Sequence, residues 1–215
     1  ITFHRLFLSD FYLLDTVDRS QIERVCGMLF SSFEFLFRFL PVFLVIYYLT
    51  PKKFRNVTLL GGSIVFYTIG EAGYITILLA CVLVNYTLTR LMYRKNTDGR
   101  GIRQKRLLLL ALGYDLGVLF FFKYSGLASG LPLGISFYTF QIMAYVIDVY
   151  RGRIPAEQSL LRLGTYLTMF PQLISGPITN YADVRVALGR ERTIKARQLE
   201  EGMKLLIIGL AAKVV

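Results

Sequence analysis

The segment 131–149 is unusually polar for an apolar stretch of its length. Five of its residues follow one another at steps of four, three, four and three positions, which brings them onto one stripe of an α-helix: Gly134, Tyr138, Gln141, Tyr145 and Asp148. Ser136 and Thr139 lie to one side of this stripe. Such a stripe either holds helices together through hydrogen bonds or lines a polar passage. The residues alone leave both alternatives open.

Three charged residues lie in otherwise apolar segments, where a charge is costly unless it is paired or functional. Asp115 has no charged neighbour in its run, so it must face protein or water, either in a functional role or as a hydrogen-bonding partner. Glu34 and Arg38 are four residues apart, which is the spacing of a side-chain pair within one helix. We interpret that pair as structural.

The sequence offers no complete active site. The single histidine, His4, lies outside the apolar runs, so no serine–histidine or cysteine–histidine pair can be assembled. Cys26 and Cys81 lack the spacing of metal ligands, and we expect neither a metal site nor a disulfide framework. A phosphate-binding glycine loop is also missing, which argues against a nucleotide-driven pump.

The elements that must position these residues are membrane helices. The chain is 54% hydrophobic and 18% charged, with a mean hydropathy of +0.51, and five runs lack any Asp, Glu, Lys or Arg: 39–51, 56–70, 72–89, 124–147 and 163–182. Several approach the ~20 residues that a spanning helix needs. We predict an all-α polytopic transmembrane helix bundle with spans near 28–50, 57–70, 73–91, 107–122 and 131–149, a broken segment at 160–178, and a further span starting at 203–215.

The basic residues lie between these runs. The loop 90–106 has seven Lys or Arg and one Asp, which places it in the cytoplasm. If 160–178 crossed the membrane fully, the basic loop that contains Arg185 would lie outside, against the same rule. We therefore predict a re-entrant segment, shaped by residues that interrupt a helix or flank the interruption: Pro171, Gln172, Gly176 and Pro177. The net charge is +11, but the basic residues lie between the apolar runs and form no continuous surface. We therefore expect no nucleic-acid binding.

The two ends of the chain differ from its middle. Residues 1–27 begin without Met and lack the features of a signal peptide, so we interpret them as a leader or misassigned extension with Met28 as the true start. The alternative is an amphipathic interfacial helix. We expect residues 28–215 to be the amino-terminal part of one membrane domain that continues beyond Val215.

Three stretches of the chain are familiar from one protein family. These are Met28-Leu-Phe-Ser-Ser-Phe-Glu-Phe-Leu-Phe, then Pro132-Leu-Gly-Ile-Ser-Phe-Tyr-Thr-Phe-Gln141 continuing to Tyr145-Val-Ile-Asp-Val-Tyr-Arg-Gly152, and finally Met169-Phe-Pro-Gln-Leu-Ile-Ser-Gly-Pro177. In this order and spacing the chain resembles the membrane-bound O-acyltransferases, in particular their bacterial alginate O-acetyltransferase-like branch. The resemblance covers residues 28–215, about the first half of such a protein.

The resemblance implies a helix bundle around a tunnel in the bacterial inner membrane. An acyl thioester such as acetyl-CoA would enter from the cytoplasm, with no bound cofactor, and the acyl group would pass to an exported polysaccharide or to a partner protein that carries it. The family's catalytic histidine lies in a later span, so we predict no catalytic residue in this chain. Combined with the polar stripe, the resemblance suggests five tunnel-lining candidates: Ser136, Tyr138, Gln141, Tyr145 and Asp148. The alternatives are a non-catalytic membrane scaffold and a secondary transporter.

Overall fold

A computed structural model describes residues 35–93, 101–124, 132, 134–173, 179–189 and 196–214 of the chain. These residues form helices and connecting turns, with no strand among them, which confirms the all-α prediction. In chain order the helices are α1 (Leu40–Leu49, preceded by a π-helical turn Phe35–Phe39), α2 (Arg55–Glu71), α3 (Ile75–Tyr93), α4 (Ile102–Tyr124), α5 (Ile135–Tyr150), α6 (Leu160–Thr168), α7 (Phe170–Leu173), α8 (Tyr181–Gly189) and α9 (Ala196–Val214). The predicted leader 1–27 and Glu34 lie outside the described residues.

Two of these helices are long and apolar enough to cross a membrane. They are α3, with 19 residues, and α4, with 23, and they match the predicted spans 73–91 and 107–122. Large apolar side chains on both helices point away from the protein interior, among them Leu83 and Phe120, each more than half exposed. An outward-facing apolar surface is the arrangement expected of helices that contact lipid.

The core lies where α3, α4 and α5 pack against one another, with α6 between α2 and α3. On α5 the fully buried Ile142 and Val146 form its centre. A second cluster is aromatic: the rings of Phe35, Phe39 and Phe43 meet Phe66 of α2 and Phe170 of α7. The broken segment is therefore packed against the bundle at both of its helices.

The helix break predicted within 160–178 is present. The helix α6 ends at Thr168 because Met169 is extended (φ −53°, ψ 111°), and the short α7 begins directly after it. Pro171 lies in the first turn of α7, where the missing N–H costs no hydrogen bond. Gly176 and Pro177, the other predicted helix breakers, lie outside the described residues.

Both flanks of the broken segment lie at the same end of the bundle. Before it, Glu157 accepts a hydrogen bond of 2.6 Å from the hydroxyl of Tyr181, which follows the segment. At the end of α8, the backbone oxygen of Leu188 accepts one of 3.0 Å from Asn56, in the first turn of α2. A re-entrant segment requires this arrangement, because its ends must return to one side of the membrane.

One part of the sequence interpretation is wrong. Residues 181–189, predicted as part of a basic loop, form α8 instead. The helix is stabilised because Tyr181 and Leu188, 1% and 3% exposed, bury one of its sides against the bundle while Arg185 remains at the surface.

The broken segment comes close to the start of α5 at Gly134. This residue precedes α5 with a left-handed backbone (φ +72°), and a β-carbon added to it would collide with the carbonyl oxygen of Leu173. Both the backbone angle and the contact favour glycine. Gly134 thus fixes where α7 meets the start of α5.

Candidate functional site

The polar stripe of α5 faces other parts of the protein. Gln141 is buried, and its amide nitrogen donates to the backbone oxygen of Tyr166 at 3.3 Å and to Oε1 of Gln172 at 3.4 Å. The hydroxyl of Tyr145 accepts a hydrogen bond of 2.9 Å from the backbone N–H of Glu157. Two of the five candidate residues therefore connect α5 to the broken segment and to the turn before it.

The other three candidates have different surroundings. Tyr138 is 1% exposed, and its hydroxyl has no hydrogen-bond partner in the part of the chain that the structure describes. Asp148 forms a salt bridge of 3.2 Å with Arg153 at the surface. Ser136 is half-buried at the start of α5. For all five residues, a role in lining a tunnel stays a prediction.

Gln172 connects the stripe to an open cleft beside the helix break. The cleft has a volume of about 530 Å³ and is lined in part by Met169, Gln172, Thr179, Asn180 and Asp183. Most of these side chains are polar. Because Gln172 also bonds to Gln141, the predicted re-entrant residue lies between the cleft and the buried stripe.

A buried carboxylate organises the turn that precedes α6. Glu157 is 5% exposed, and its oxygens accept hydrogen bonds of 3.0 Å from each of the backbone N–H groups of Gln158 and Ser159. The guanidinium groups of Arg162 and Arg185 lie 3.8 and 3.9 Å from the carboxylate. A carboxylate with several donors and two nearby cations is well compensated for its burial.

Three tyrosine rings pack beside Glu157. The ring of Tyr181 meets those of Tyr145 and Tyr166 edge to face, each with a centroid separation of 4.9 Å. The hydroxyl of Tyr166 donates to the backbone oxygen of Thr179 at 2.7 Å. Burial, followed by the hydrogen bond to Glu157, raises the pKa of Tyr181, so its hydroxyl keeps its proton and remains a donor to the carboxylate.

The sequence analysis missed the Glu157 cluster. Glu157 lies two residues before Ser159, which caps α6 by accepting from the backbone N–H of Arg162, so its local role as a turn acceptor has a sequence signal. Its bond to Tyr181, 24 residues further along, has none.

A second polar cluster lies in the core between α3 and α4. Oδ1 of Asp115 accepts a hydrogen bond of 2.7 Å from the amide of Asn85 and one of 3.3 Å from the thiol of Cys81. The same amide also donates to the backbone oxygen of Cys81 at 3.0 Å. Asp115 therefore faces protein, as a hydrogen-bonding partner of α3. Within the described residues, no group of three His, Cys, Asp or Glu side chains is placed to hold a metal ion.

A cleft of about 620 Å³ opens at the end of α3 that precedes the basic loop. It is lined by Tyr86, Arg90, Tyr93 and Gln158, together with three further residues. Arg90 donates to the hydroxyl of Tyr86 at 2.9 Å, and that hydroxyl donates to the backbone oxygen of Gln158 at 2.7 Å. An arginine beside tyrosines at an open cleft is suited to binding phosphate groups.

Comparison with curated proteins finds related sequences that are all named for O-acetylation. The chain is 34% identical over 210 residues to the probable alginate O-acetylase AlgI of Pseudomonas putida, an alignment that covers 87% of this chain and 42% of that protein. It is 36% identical over 196 residues to the protein of the same name from Pseudomonas fluorescens, covering 87% and 38%. A peptidoglycan O-acetyltransferase of Helicobacter pylori is 27% identical over 242 residues, covering 90% and 45%.

The chain thus spans less than half the length of these curated relatives. No protein-family model matches it, and no solved structure matches it.

Proposed function

Since this chain is a homologue of bacterial alginate O-acetylases of the membrane-bound O-acyltransferase family, we propose that the whole protein transfers an acetyl group to hydroxyl groups of an exported polysaccharide. The observation that carries this proposal is the alignment over 87% of the chain with proteins named for that reaction. The helical fold with two helices of spanning length supports a location in the bacterial inner membrane, crossed several times.

The chemistry would be acyl transfer from a thioester. A histidine in a later span, as the family resemblance implies, would take the proton of the acceptor hydroxyl, which attacks the thioester carbonyl. Donors near that carbonyl would stabilise the oxyanion. The described helices would supply the wall of the tunnel, with Gln141 and Gln172 positioned between the cleft at the helix break and the buried stripe of α5.

The donor in this proposal is acetyl-CoA or another acyl thioester that arrives from the cytoplasm. Two observations support the direction. The basic loop next to α3 indicates the cytoplasmic end, and the cleft with Arg90 and its tyrosines opens at that end. Phosphate groups of a donor are natural ligands of an exposed arginine.

The acceptor is an exported glycan. The relatives are named for two acceptors, alginate and peptidoglycan, and both carry free hydroxyl groups outside the inner membrane. The alignment is stronger with the alginate-named proteins, which favours an exported polysaccharide over peptidoglycan. A partner protein that takes the acetyl group onward outside the membrane is compatible with this scheme.

Deletion of the gene in its native bacterium tests the proposal. We expect the exported polysaccharide to lose its ester-linked acetate, as measured after mild alkaline release, and peptidoglycan acetylation to be unchanged. Complementation with the full-length gene should restore the acetate. If both polymers kept their acetate after deletion, a scaffold or transporter would replace the enzyme as the better explanation.

A further inference from the structure

The three-helix core contains a carboxyl group that has no charged partner. The side chain of Asp115 is 0% exposed, and its two side-chain donors, Asn85 and Cys81, are both neutral. In the part of the chain that the structure describes, no Lys or Arg forms an ion pair with it. An ionised carboxylate is strongly disfavoured when it is buried and no cation compensates its lost hydration.

The side chains of Asp115 and Asn85 each have one oxygen left that could take part in a further hydrogen bond. Oδ2 of Asp115 and Oδ1 of Asn85 are both buried and have no hydrogen-bond partner among the described residues, although the two side chains are already joined by a bond of 2.7 Å between Asn85 Nδ2 and Asp115 Oδ1. Two bare oxygens cannot bond to each other. A single proton on the carboxyl group makes one of them a donor.

We infer that Asp115 is a neutral carboxylic acid that binds one proton on Oδ2 and donates it to Oδ1 of Asn85. The acid and the amide then form a ring of two hydrogen bonds between α3 and α4. This one proton removes the buried charge and gives both unpartnered oxygens a partner. The site is thus a proton-binding site within the membrane domain, and it depends on neither the proposed acetyl transfer nor the identity of the donor.

Because Asp115 lies far from both ends of α4, a bound proton is better placed than bulk water to compensate the burial of its carboxyl group. At 1.5 Å per residue, Asp115 lies roughly 20 Å from the first residue of α4 and roughly 14 Å from its last. The titratable groups that interact with Asp115 from the surrounding helices are Cys81 of α3, Tyr114 of α4 and Tyr138 of α5. All three are neutral when they carry their protons, so none of them offers a positive charge to hold a carboxylate.

Infrared difference spectroscopy of the full-length protein in lipid nanodiscs tests the protonation state directly. A protonated carboxyl group has a carbonyl stretch that ionised carboxylates lack. We expect the wild type to show this band at neutral pH and Asp115→Asn to lose it completely. The matched control is Asp148→Asn, the same substitution at the surface of α5, which should keep the band. A wild-type spectrum that shows no difference from Asp115→Asn in this region would overturn the inference.

Exchanging the acid and the amide tests the ring. Asp115→Asn alone replaces the acid by a second amide, which can form the same two bonds, so the thermal unfolding midpoint should change by less than about 2 °C. The double variant Asn85→Asp with Asp115→Asn, which exchanges the two side chains, should also change the midpoint by less than about 2 °C. Asn85→Leu should lower the midpoint by at least about 4 °C. Loss of folding in Asp115→Asn, or an exchange variant no more stable than Asn85→Leu, would overturn the inference.

Discussion

Two buried carboxyl groups, Glu157 and Asp115, are compensated in opposite ways. Glu157 lies at the end of the bundle, where two backbone N–H groups, the hydroxyl of Tyr181 and two arginines surround it. Asp115 lies in the middle of α4, where an amide and a thiol are its side-chain donors among the described residues. Both are almost completely buried, so exposure does not distinguish them.

The difference follows from where a cation can be placed. Arg162 and Arg185 are each 41% exposed, so they approach Glu157 while keeping part of their own hydration. An arginine beside Asp115 would have to be buried at mid-helix, which is far more costly. Glu157 is therefore compensated by donors and partly hydrated cations, whereas Asp115 is stabilised best without its charge.

Replacing each of the two carboxyl groups by its amide should affect stability very differently. We expect Glu157→Gln to destabilise the protein by about 3 kcal/mol, because the amide leaves the donors around it unpaired and two arginines uncompensated. We expect Asp115→Asn to cost less than about 1 kcal/mol. Thermal unfolding of both full-length variants measures the contrast. Equal losses in the two variants would mean that the compensation is the same at both sites.

Removing the shortest bond to Glu157 should have the next largest effect. Tyr181→Phe deletes the 2.6 Å bond to the carboxylate, and a hydrogen bond to a charged group contributes about 2 kcal/mol. The control is Tyr166→Phe, whose hydroxyl bonds to a neutral backbone oxygen, with an expected loss of about 1 kcal/mol. If Tyr166→Phe proved the more destabilising, Glu157 would not be the centre of this cluster.

Two tyrosines on the same stripe of α5 extend the comparison of buried polar groups from carboxyl groups to hydroxyl groups. Tyr145→Phe removes the acceptor of the Glu157 N–H and should cost about 1 kcal/mol. Tyr138→Phe removes a buried hydroxyl to which no described residue bonds, so the stability of this variant should be unchanged or rise by about 0.5 kcal/mol. Chemical denaturation in mild detergent can resolve this pair. A loss in Tyr138→Phe as large as in Tyr145→Phe would reveal a partner for Tyr138.

Gln141→Leu should lower stability only slightly. Its two hydrogen bonds are long, 3.3 and 3.4 Å, so the loss should be about 0.5–1 kcal/mol. Acetyl transfer by the full-length variant is the informative measurement, and we expect it to fall more than the stability does, because Gln141 bonds to Gln172 at the cleft. Unchanged transfer and unchanged stability would remove Gln141 from the tunnel candidates.

The sequence predicted the helices that depend on local composition. The predicted spans 73–91 and 107–122 match α3 and α4 within a few residues at one or both ends. The break predicted within 160–178 is present after α6, and Pro171 lies just beyond it in the first turn of α7, where proline is tolerated. The sequence also singled out Asp115 and the stripe of α5. It failed for α8, since the burial of Tyr181 and Leu188 depends on neighbours far away in the chain.

The pairing of side chains between helices was beyond prediction for the same reason. Asn85 and Asp115 are 30 residues apart, and their contact depends on how α3 and α4 align along their lengths. Neither helix carries that alignment in its own sequence. Gln141, by contrast, was identified as a polar residue on an apolar helix, but its partners Tyr166 and Gln172 were visible only once the broken segment was in place.

The side-chain bonds of the broken segment also imply an order of assembly. Its residues bond back to positions that are synthesised earlier: Phe170 to Ser63, Thr165 to Asn56 and Tyr166 to Gln141. Tyr181 likewise bonds back to Glu157. The partners of all four residues are therefore synthesised before the residues that bond to them. We expect the segment to enter the membrane last among these elements, guided by helices that the ribosome has already delivered.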